Sequence, residues 1–215
     1  IWPEKIASDE KRKSAAAKEQ QQLKSWLAEG EKSSLDKFGG WNKGPAFKAS
    51  GFFRTEKRDG RWYLVTPGGH PFYSLGVNTV TPDNSQTYVA GREWMFGALP
   101  KAGEPFDKYY GSGDNRGGNG ADVGRGFNVG RWYDFYGANL QRTYGQACDP
   151  AAQAQPCTAQ GFDQARWVSH TLDRLQAWGF NTVGNWSAPQ LVGADRVPYT
   201  LPLSIIGDYT SISTG

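Results

Sequence analysis

The stretch WGFNTVGNWS, residues 178–187, decides the fold that the sequence predicts. Within it, residues 180–186 form a short apolar run of the kind that makes a buried strand. Gly179 stands directly before this run, where glycine commonly ends a helix. Upstream, from Phe162, apolar side chains recur at helical spacing, on a face made of Trp167, Thr171, Leu172, Leu175 and Trp178. The sequence therefore predicts a helix that leads straight into a buried strand.

Two further apolar runs flank this helix and strand. VPYTLPLSII, residues 197–206, follows with prolines near its edges, and PFYSLGVNTV, residues 71–80, lies far upstream. Runs that are apolar on both faces suit parallel strands with both faces covered. The order of strand, helix, strand is that of a βαβ unit. We therefore predict an α/β fold with strands near 71–80, 180–186 and 197–206.

Two turn signals precede the first predicted strand. Asp59-Gly60 separates FFRTEK from RWYLV, and Pro67-Gly68-Gly69 follows the second of these runs. An Asp-Gly pair between strand-like runs is a strong hairpin signal. The sequence thus predicts a β-hairpin before the first parallel strand.

The N-terminal segment has a different composition. Residues 4–37 are rich in Lys, Glu, Ala and Gln, and they carry a partial helical stripe of Leu23, Trp26, Leu27 and Leu35. Gly39 and Gly40 are expected to stop this helix. The predicted organisation is a helical lead-in over residues 1–40, followed over residues 41–215 by one domain or part of a larger one.

Residues 82–160 form a polar, glycine-rich segment that is unusually long for a loop in a compact domain. Its many aromatic side chains, Trp132 among them, argue against plain disorder. Cys148 and Cys157 lie in a turn-rich part of this segment. They are expected to form a small disulfide loop, which suits an oxidising compartment, and two free thiols are the alternative.

Several classes of function find little support in the sequence. The net charge is only +3, and Lys and Arg form no block free of acids, which argues against nucleic-acid binding. His70 and His170 have no Cys or His at metal-ligand spacing. The glycine runs do not match nucleotide-binding loops, and no stretch is long and apolar enough to cross a bilayer. We therefore expect no metal, no cofactor and no membrane span.

Three segments resemble agarase-type glycoside hydrolases of the family 50 kind. DGRWYLVTPGGHPFYSLGVNTV, residues 59–80, is similar to the entry into their first barrel strand. LQAWGFNTVGNWS, residues 175–187, resembles the second strand with its helix, and residues 196–215 resemble the third strand and the loop beyond it. The resemblance implies the first portion of a (β/α)8 TIM barrel, with an N-terminal helix and β-hairpin. Three parallel strands cannot close a barrel, so another chain or segment is expected to complete it.

The resemblance also implies a retaining mechanism with two carboxylates at the ends of later strands. No Glu follows Glu104, and no Asn-Glu pair follows Gly179. We therefore expect the catalytic carboxylates to lie outside this chain. The acidic residues of the long segment are expected to be solvated loop carboxylates: Glu93, Glu104, Asp107, Asp114, Asp122 and Asp134.

Active sites of such barrels lie at the carboxyl ends of the strands. The substrate-contact candidates are Asn78, Asn185, Trp186, Asp208, Tyr209 and Trp132. Amide groups donate to and accept from sugar hydroxyls, and an indole offers a flat apolar face. Bracing of a neighbouring loop is the alternative role for Asn78 and Asn185.

Together these patterns predict a secreted or periplasmic glycosidase that acts on a β-galactan such as agarose. This chain would supply the substrate cleft, and the rest of the barrel would be its partner. Two alternatives stay open: a non-catalytic carbohydrate-binding or scaffold protein, and a β-galactosidase-like exo-glycosidase. A companion segment with Asn-Glu after a strand would separate the enzymes from the binding protein.

Overall fold

A computed structural model describes residues 6, 8–30, 34–82, 86–114, 129–145 and 161–203. The chain forms two compact units. The terminal unit comprises Ile1–Val80 and Thr171–Gly215, and the inserted unit comprises Thr81–His170. The division thus falls inside the predicted 41–215 domain. None of the described helices combines the length and apolar character needed to cross a bilayer.

The described elements are a mixture of helices and strands, as the sequence predicts. The helices are α1 Asp9–Gly30, α2 Phe135–Tyr144, α3 Gln164–Ala177 and α4 Pro189–Val192. The strands are β1 Arg54–Arg58, β2 Arg61–Val65, β3 Pro71–Phe72, β4 Gly76–Val77, β5 Thr87–Tyr88, β6 Tyr110–Asp114, β7 Val129–Tyr133 and β8 Thr182–Val183. Two 3-10 turns, Glu93–Met95 and Asp107–Tyr109, belong to the inserted unit.

Helix α1 is shorter than predicted. It ends at Gly30, well before the predicted stop at Gly39 and Gly40. Those glycines lie instead in a turn closed by Asp36, whose Oδ1 accepts hydrogen bonds of 2.8 Å from the backbone N–H groups of Phe38 and Gly40. A short polar side chain that binds its own downstream backbone in this way competes with helix formation.

The predicted hairpin is confirmed. Strands β1 and β2 pair antiparallel from Arg54 opposite Val65 to Arg58 opposite Arg61. The turn residues Asp59 and Gly60 have φ of 51° and 78°, the positive values that a two-residue type I′ turn requires. Strand β3 then adds antiparallel to β2, so these strands form a sheet in the order β1-β2-β3.

The predicted strand at 71–80 is divided into two short strands in different sheets. Strand β3 belongs to the hairpin sheet, whereas β4 pairs parallel with β8. Between β3 and β4, the side chain of Asn181 takes the backbone hydrogen bonds that a neighbouring strand would otherwise make. Its Oδ1 accepts from Leu75 N at 2.8 Å, and its Nδ2 donates to Tyr73 O at 2.9 Å. A side chain that satisfies the backbone there removes the need for a continuous strand.

The parallel arrangement extends past β8. Val183 forms a parallel bridge with Tyr199, and its N–H donates to Pro198 O at 2.9 Å. Among the described residues, the third predicted strand at 197–206 is present only as this isolated bridge at Tyr199, and its part beyond residue 203 is outside the described residues. The described sheets are small and do not close into a barrel.

Helix α3 ends as predicted at Gly179, which has φ of 83°. Gly179 N donates to Gln176 O, and Phe180 N donates to Leu175 O at 2.8 Å. This pair of bonds is a Schellman motif, which needs a left-handed residue such as glycine. Leu175 is buried, but Trp178 follows the last helical residue and is 54% exposed, so it does not join the apolar face as predicted.

The inserted unit is not the open loop that its composition suggests. Its strands form an antiparallel sheet in the order β5-β7-β6. Its core combines Val89, Tyr109, Tyr133 and Ala138 with partly buried aromatic rings. Asp134 caps α2 by accepting from Gly137 N at 2.7 Å. Cys148 and Cys157 lie outside the described residues, so their predicted disulfide stays a prediction.

Candidate functional site

Polar residues meet where the parallel strands β4 and β8 end. Asn78 and Thr79 follow β4, and Asn185 and Trp186 lie just past β8; we call these four residues the strand-end cluster. Parallel strands bring their carboxyl ends to the same edge of a sheet. The structure thus brings together three predicted candidates, Asn78, Asn185 and Trp186, and adds Thr79.

Two hydrogen bonds tie the cluster together. Asn185 N donates to Asn78 Oδ1 at 3.1 Å, and Thr79 N donates to Asn185 O at 2.7 Å. The first of these bonds gives Asn78 the bracing role that was left open for it. Its carbonyl oxygen is engaged, while its amide nitrogen remains a potential donor.

Gly184 makes this bracing possible. A Cβ built on Gly184 would overlap Asn78 Oδ1 and approach Val77 O to 3.1 Å. The position therefore admits only glycine while Asn78 reaches across to the backbone of Asn185. The sequence motif Gly-Asn-Trp thus has a steric reason: glycine for the close approach, and then the two residues that it positions.

Trp186 has an unusual backbone conformation and an exposed side chain. Its φ is 59°, in the left-handed region that bulky residues rarely adopt. Thr79, across from it, also has a positive φ of 57°. The indole is 70% exposed. Strained residues of this kind cluster at ligand-contact sites, where the surrounding structure holds them in place.

The segment after Trp186 is held by the segment after β4. Val80 N donates to Ser187 Oγ at 3.1 Å, and Ala188 N donates to Val80 O at 2.9 Å. Helix α4 begins directly afterwards at Pro189. These bonds fix the loop on both sides of Trp186, so the indole is presented from a braced backbone.

Asn185 carries a buried acceptor. Its Oδ1 has almost no accessible surface, and it has no hydrogen-bond partner among the described residues. Buried polar atoms in native structures are usually paired with protein groups or ordered water, because an unsatisfied one is costly. Asn185 therefore has capacity for one more interaction at this edge of the sheet.

Trp132 belongs to the inserted unit. On β7 it lies opposite Gly111 of β6, and a Cβ built on Gly111 would overlap its ring. The ring thus packs across a glycine of the neighbouring strand, and this contact stabilises its own sheet. A substrate contact for Trp132 stays a prediction, and Asp208 and Tyr209 lie outside the described residues.

Several of the predicted loop carboxylates make local contacts, whereas Asp122 lies outside the described residues. Glu104 accepts from Lys101 N at 2.8 Å, and Asp107 accepts from Gly103 N at 2.7 Å. Glu93 pairs with Arg131 at 3.3 Å. Within the described ranges no group of three or more His, Cys, Asp or Glu side chains could hold a metal ion.

Sequence reasoning missed a partly buried polar cluster around Asp36. Its Oδ2 accepts from Thr66 Oγ1 at 2.6 Å and lies 2.9 Å from His70 Nδ1. Burial alone raises the pKa of the Asp36 carboxyl, but the hydrogen bonds that it accepts outweigh burial and hold the pKa below its usual value. The cluster joins the segment after α1 to the turn before β3. The sequence did offer one signal: an Asp side chain commonly accepts a hydrogen bond from the backbone two residues later, here Phe38, and so forms an Asx turn.

The chain is similar to known agarases. It is 33% identical over its whole length to β-agarase B of Vibrio sp. (strain JT0107), of which it spans 22%. It is 28% identical over 66% of its length to β-agarase A of the same strain, of which it spans 12%. No protein-family model matches the chain.

Solved structures of agarases are also similar to this chain. The crystal structure of an agarase matches 90% of this chain at 34% identity and a TM-score of 0.63, and the match spans 27% of that agarase. The structure of an exo-β-agarase matches all of the chain at 28% identity and a TM-score of 0.72, over 32% of its own length. The chain thus spans about a fifth of its curated relative and under a third of the solved agarases. The resemblance to agarase-type glycoside hydrolases of the family 50 kind is confirmed, and the chain aligns with a portion of each of these agarases.

Proposed function

We propose that the full-length protein is a glycosidase that hydrolyses O-glycosidic bonds of a β-galactan such as agarose, and that this chain lines the substrate cleft. The strand-end cluster is the observation that carries the proposal. It presents an indole and amide groups from a braced backbone at the carboxyl ends of parallel strands. The names of the relatives, which are β-agarases, support the substrate class.

The proposal includes the architecture. In it, β4, β8 and the segment at Tyr199 are the first strands of a (β/α)8 barrel that a further segment or chain completes. The parallel pairing of β4 with β8 and the bridge to Tyr199 support this view. Active sites of such barrels lie at the carboxyl ends of the strands, where the cluster is found.

The proposed chemistry is retaining hydrolysis by two carboxylates about 5–5.5 Å apart. Both are expected to lie outside this chain, because the acids whose bonds are described above brace turns and helix ends. Trp186 would stack on the apolar face of a sugar ring, and the Asn78 amide nitrogen would donate to a hydroxyl.

We further propose that the protein is secreted or periplasmic. A galactan polymer cannot cross a membrane, so an enzyme that begins its breakdown must meet it outside the cytoplasm. The pair Cys148 and Cys157 would suit that oxidising compartment.

A kinetic comparison tests the proposal. Trp186→Ala in the full-length protein is expected to lower kcat/KM on agarose about tenfold, the equivalent of ~1.4 kcal/mol. Trp178→Ala is the matched control, since Trp178 is also an exposed indole but lies at the end of α3. Equal kcat/KM values for the two variants would contradict the assigned role of the cluster.

The products separate the proposal from its alternatives. Proton NMR of the first product should show retained anomeric configuration. Binding of agarose without release of reducing ends would favour a non-catalytic carbohydrate-binding protein. Release of single galactose units from chain ends, with no action on internal bonds, would favour a β-galactosidase-like exo-glycosidase.

A further inference from the structure

A second candidate ligand site lies wholly within the inserted unit. A cavity of about 650 Å³ opens beside the turn at Glu93–Met95. Its wall includes Glu93, Leu99, Lys101, Asp107, Tyr110 and Arg131. Its volume is in the range of pockets that bind small organic ligands. None of these residues belongs to the strand-end cluster.

Arg131 is the fixed centre of the polar wall. Its Nη2 lies 3.3 Å from Glu93 Oε1, and its guanidinium stacks over the Tyr110 ring at 4.8 Å from the ring centroid. Tyr110 in turn packs edge-on against the buried Tyr133, with ring centroids 4.8 Å apart. The guanidinium is thus held from two sides, while both it and the Glu93 carboxylate remain about half exposed.

The charges of the cavity indicate the chemistry of its ligand. Two cations, Lys101 and Arg131, face two acids, Glu93 and Asp107, so the wall carries no net charge. A phosphate- or sulfate-rich polymer would be repelled by the acids as much as attracted by the cations. Donors and acceptors in balance, beside apolar carbons of Leu99, instead match a neutral polyhydroxylated molecule.

An exposed indole lies next in the chain to Glu93 of the cavity wall. Trp94 follows Glu93 in the same 3-10 turn and is 83% exposed. Its neighbour Met95 is also exposed. A large apolar side chain held this far into solvent beside a polar cavity provides a platform on which a sugar ring can stack.

We propose that Trp94 and the adjoining cavity bind a neutral oligosaccharide segment, and so form a second carbohydrate-contact surface of this protein. The identity of the sugar as a galactan rests on the proposed function. The surface would hold a part of the polymer through residues other than the strand-end cluster, and it would favour long substrates over short ones.

Affinity electrophoresis of the full-length protein measures this binding. The gel contains a neutral polymer that carries agaro-hexasaccharide, and it is run in the cold. Trp94→Ala and Lys101→Met should each raise the apparent Kd about three- to tenfold. Trp178→Ala, a change of the same size at an exposed indole in the terminal unit, should leave the Kd at the wild-type value. Circular dichroism and the thermal midpoint check that each variant is folded.

The outcomes separate this inference from the proposed function. Wild-type Kd values for both Trp94→Ala and Lys101→Met, with a wild-type protein that binds and cleaves agarose, would overturn this inference alone. A wild-type protein that neither binds nor cleaves agarose would overturn both. Stronger retardation by a sulfated galactan than by the neutral one would overturn the assignment of a neutral ligand.

Discussion

Replacing Gly184 with alanine tests how the strand-end cluster is held together. The new methyl group would occupy the space of Asn78 Oδ1 and would lie 3.1 Å from Val77 O. Because the backbone of Val77 is fixed by the bond from Gly184 N to Val77 O at 2.8 Å, the Asn78 side chain must move. Its 3.1 Å bond from Asn185 N is then lost.

The size of the effect follows from these contacts. Loss of the hydrogen bond costs about 0.5–1.5 kcal/mol, and forcing a methyl group into a packed site costs about 1–3 kcal/mol. The lower entropy of the unfolded alanine chain offsets about 0.4–1 kcal/mol. We expect the free energy of unfolding to fall by about 0.5–4 kcal/mol, and the displaced Asn78 side chain to disturb the loop that carries Trp186.

Urea unfolding of the full-length protein measures the change through the midpoint at an unchanged m-value. Gly193→Ala is the matched control, since a Cβ there meets only Pro189 O at an ordinary 3.7 Å. In the double variant Gly184→Ala/Asn78→Ala the clash is removed, so the two changes should be strongly non-additive. Equal stability of Gly184→Ala and Gly193→Ala, or simple additivity in the double variant, would refute the reasoning.

Three further outcomes are expected. Trp186→Gly should raise stability by about 1 kcal/mol, because glycine adopts positive φ freely, yet weaken agarose binding; a stability loss in thermal unfolding would contradict the assigned strain. Asp36→Asn should make the free energy of unfolding less dependent on pH in acid. The pKa of Asp36 is lower in the folded protein than in the unfolded chain, so its ionised form stabilises the fold at higher pH, and this contribution is lost as the pH falls below about 3.8. If the unfolding free energies of the wild type and the variant fall in parallel between about pH 5 and pH 2, the assigned role of the Asp36 hydrogen bonds is wrong. Gly111→Ala should destabilise the inserted unit by about 1–3 kcal/mol through overlap with Trp132, whereas Gly97→Ala, which meets no atom within 4 Å, should be neutral; equal unfolding midpoints would show that the Trp132 ring is free to move.

Local patterns were predictable where a few adjacent residues set the conformation. The hairpin at Asp59-Gly60 and the helix end at Gly179 both need positive φ, which glycine and aspartate tolerate. The helix upstream of Gly179 was visible in its apolar spacing. The placement of Asn78 and Asn185 at one edge also followed, because parallel strands put their carboxyl ends together.

Other features depended on partners distant in the chain. The break in the strand at 71–80 arises because Asn181, more than a hundred residues later, binds the backbone of Tyr73 and Leu75. The turn at Gly39 and Gly40 likewise depends on Asp36, which reaches Thr66 and His70 thirty or more residues away. Neither contact leaves a periodic trace in the sequence, so local propensity predicted neither the strand break nor this turn.

The sequence by itself determined the mixture of helices and strands, the β-hairpin and the resemblance to agarases, since these depend on short-range turn chemistry and on strand-centred motifs. Only the tertiary structure decided that residues 81–170 form a separate unit, because its core forms where Val89, Tyr109, Tyr133 and Ala138 from distant parts of this segment pack together. It also decided the role of Asn78: one oxygen, placed over a glycine without a side chain, holds the backbone from which Trp186 faces solvent.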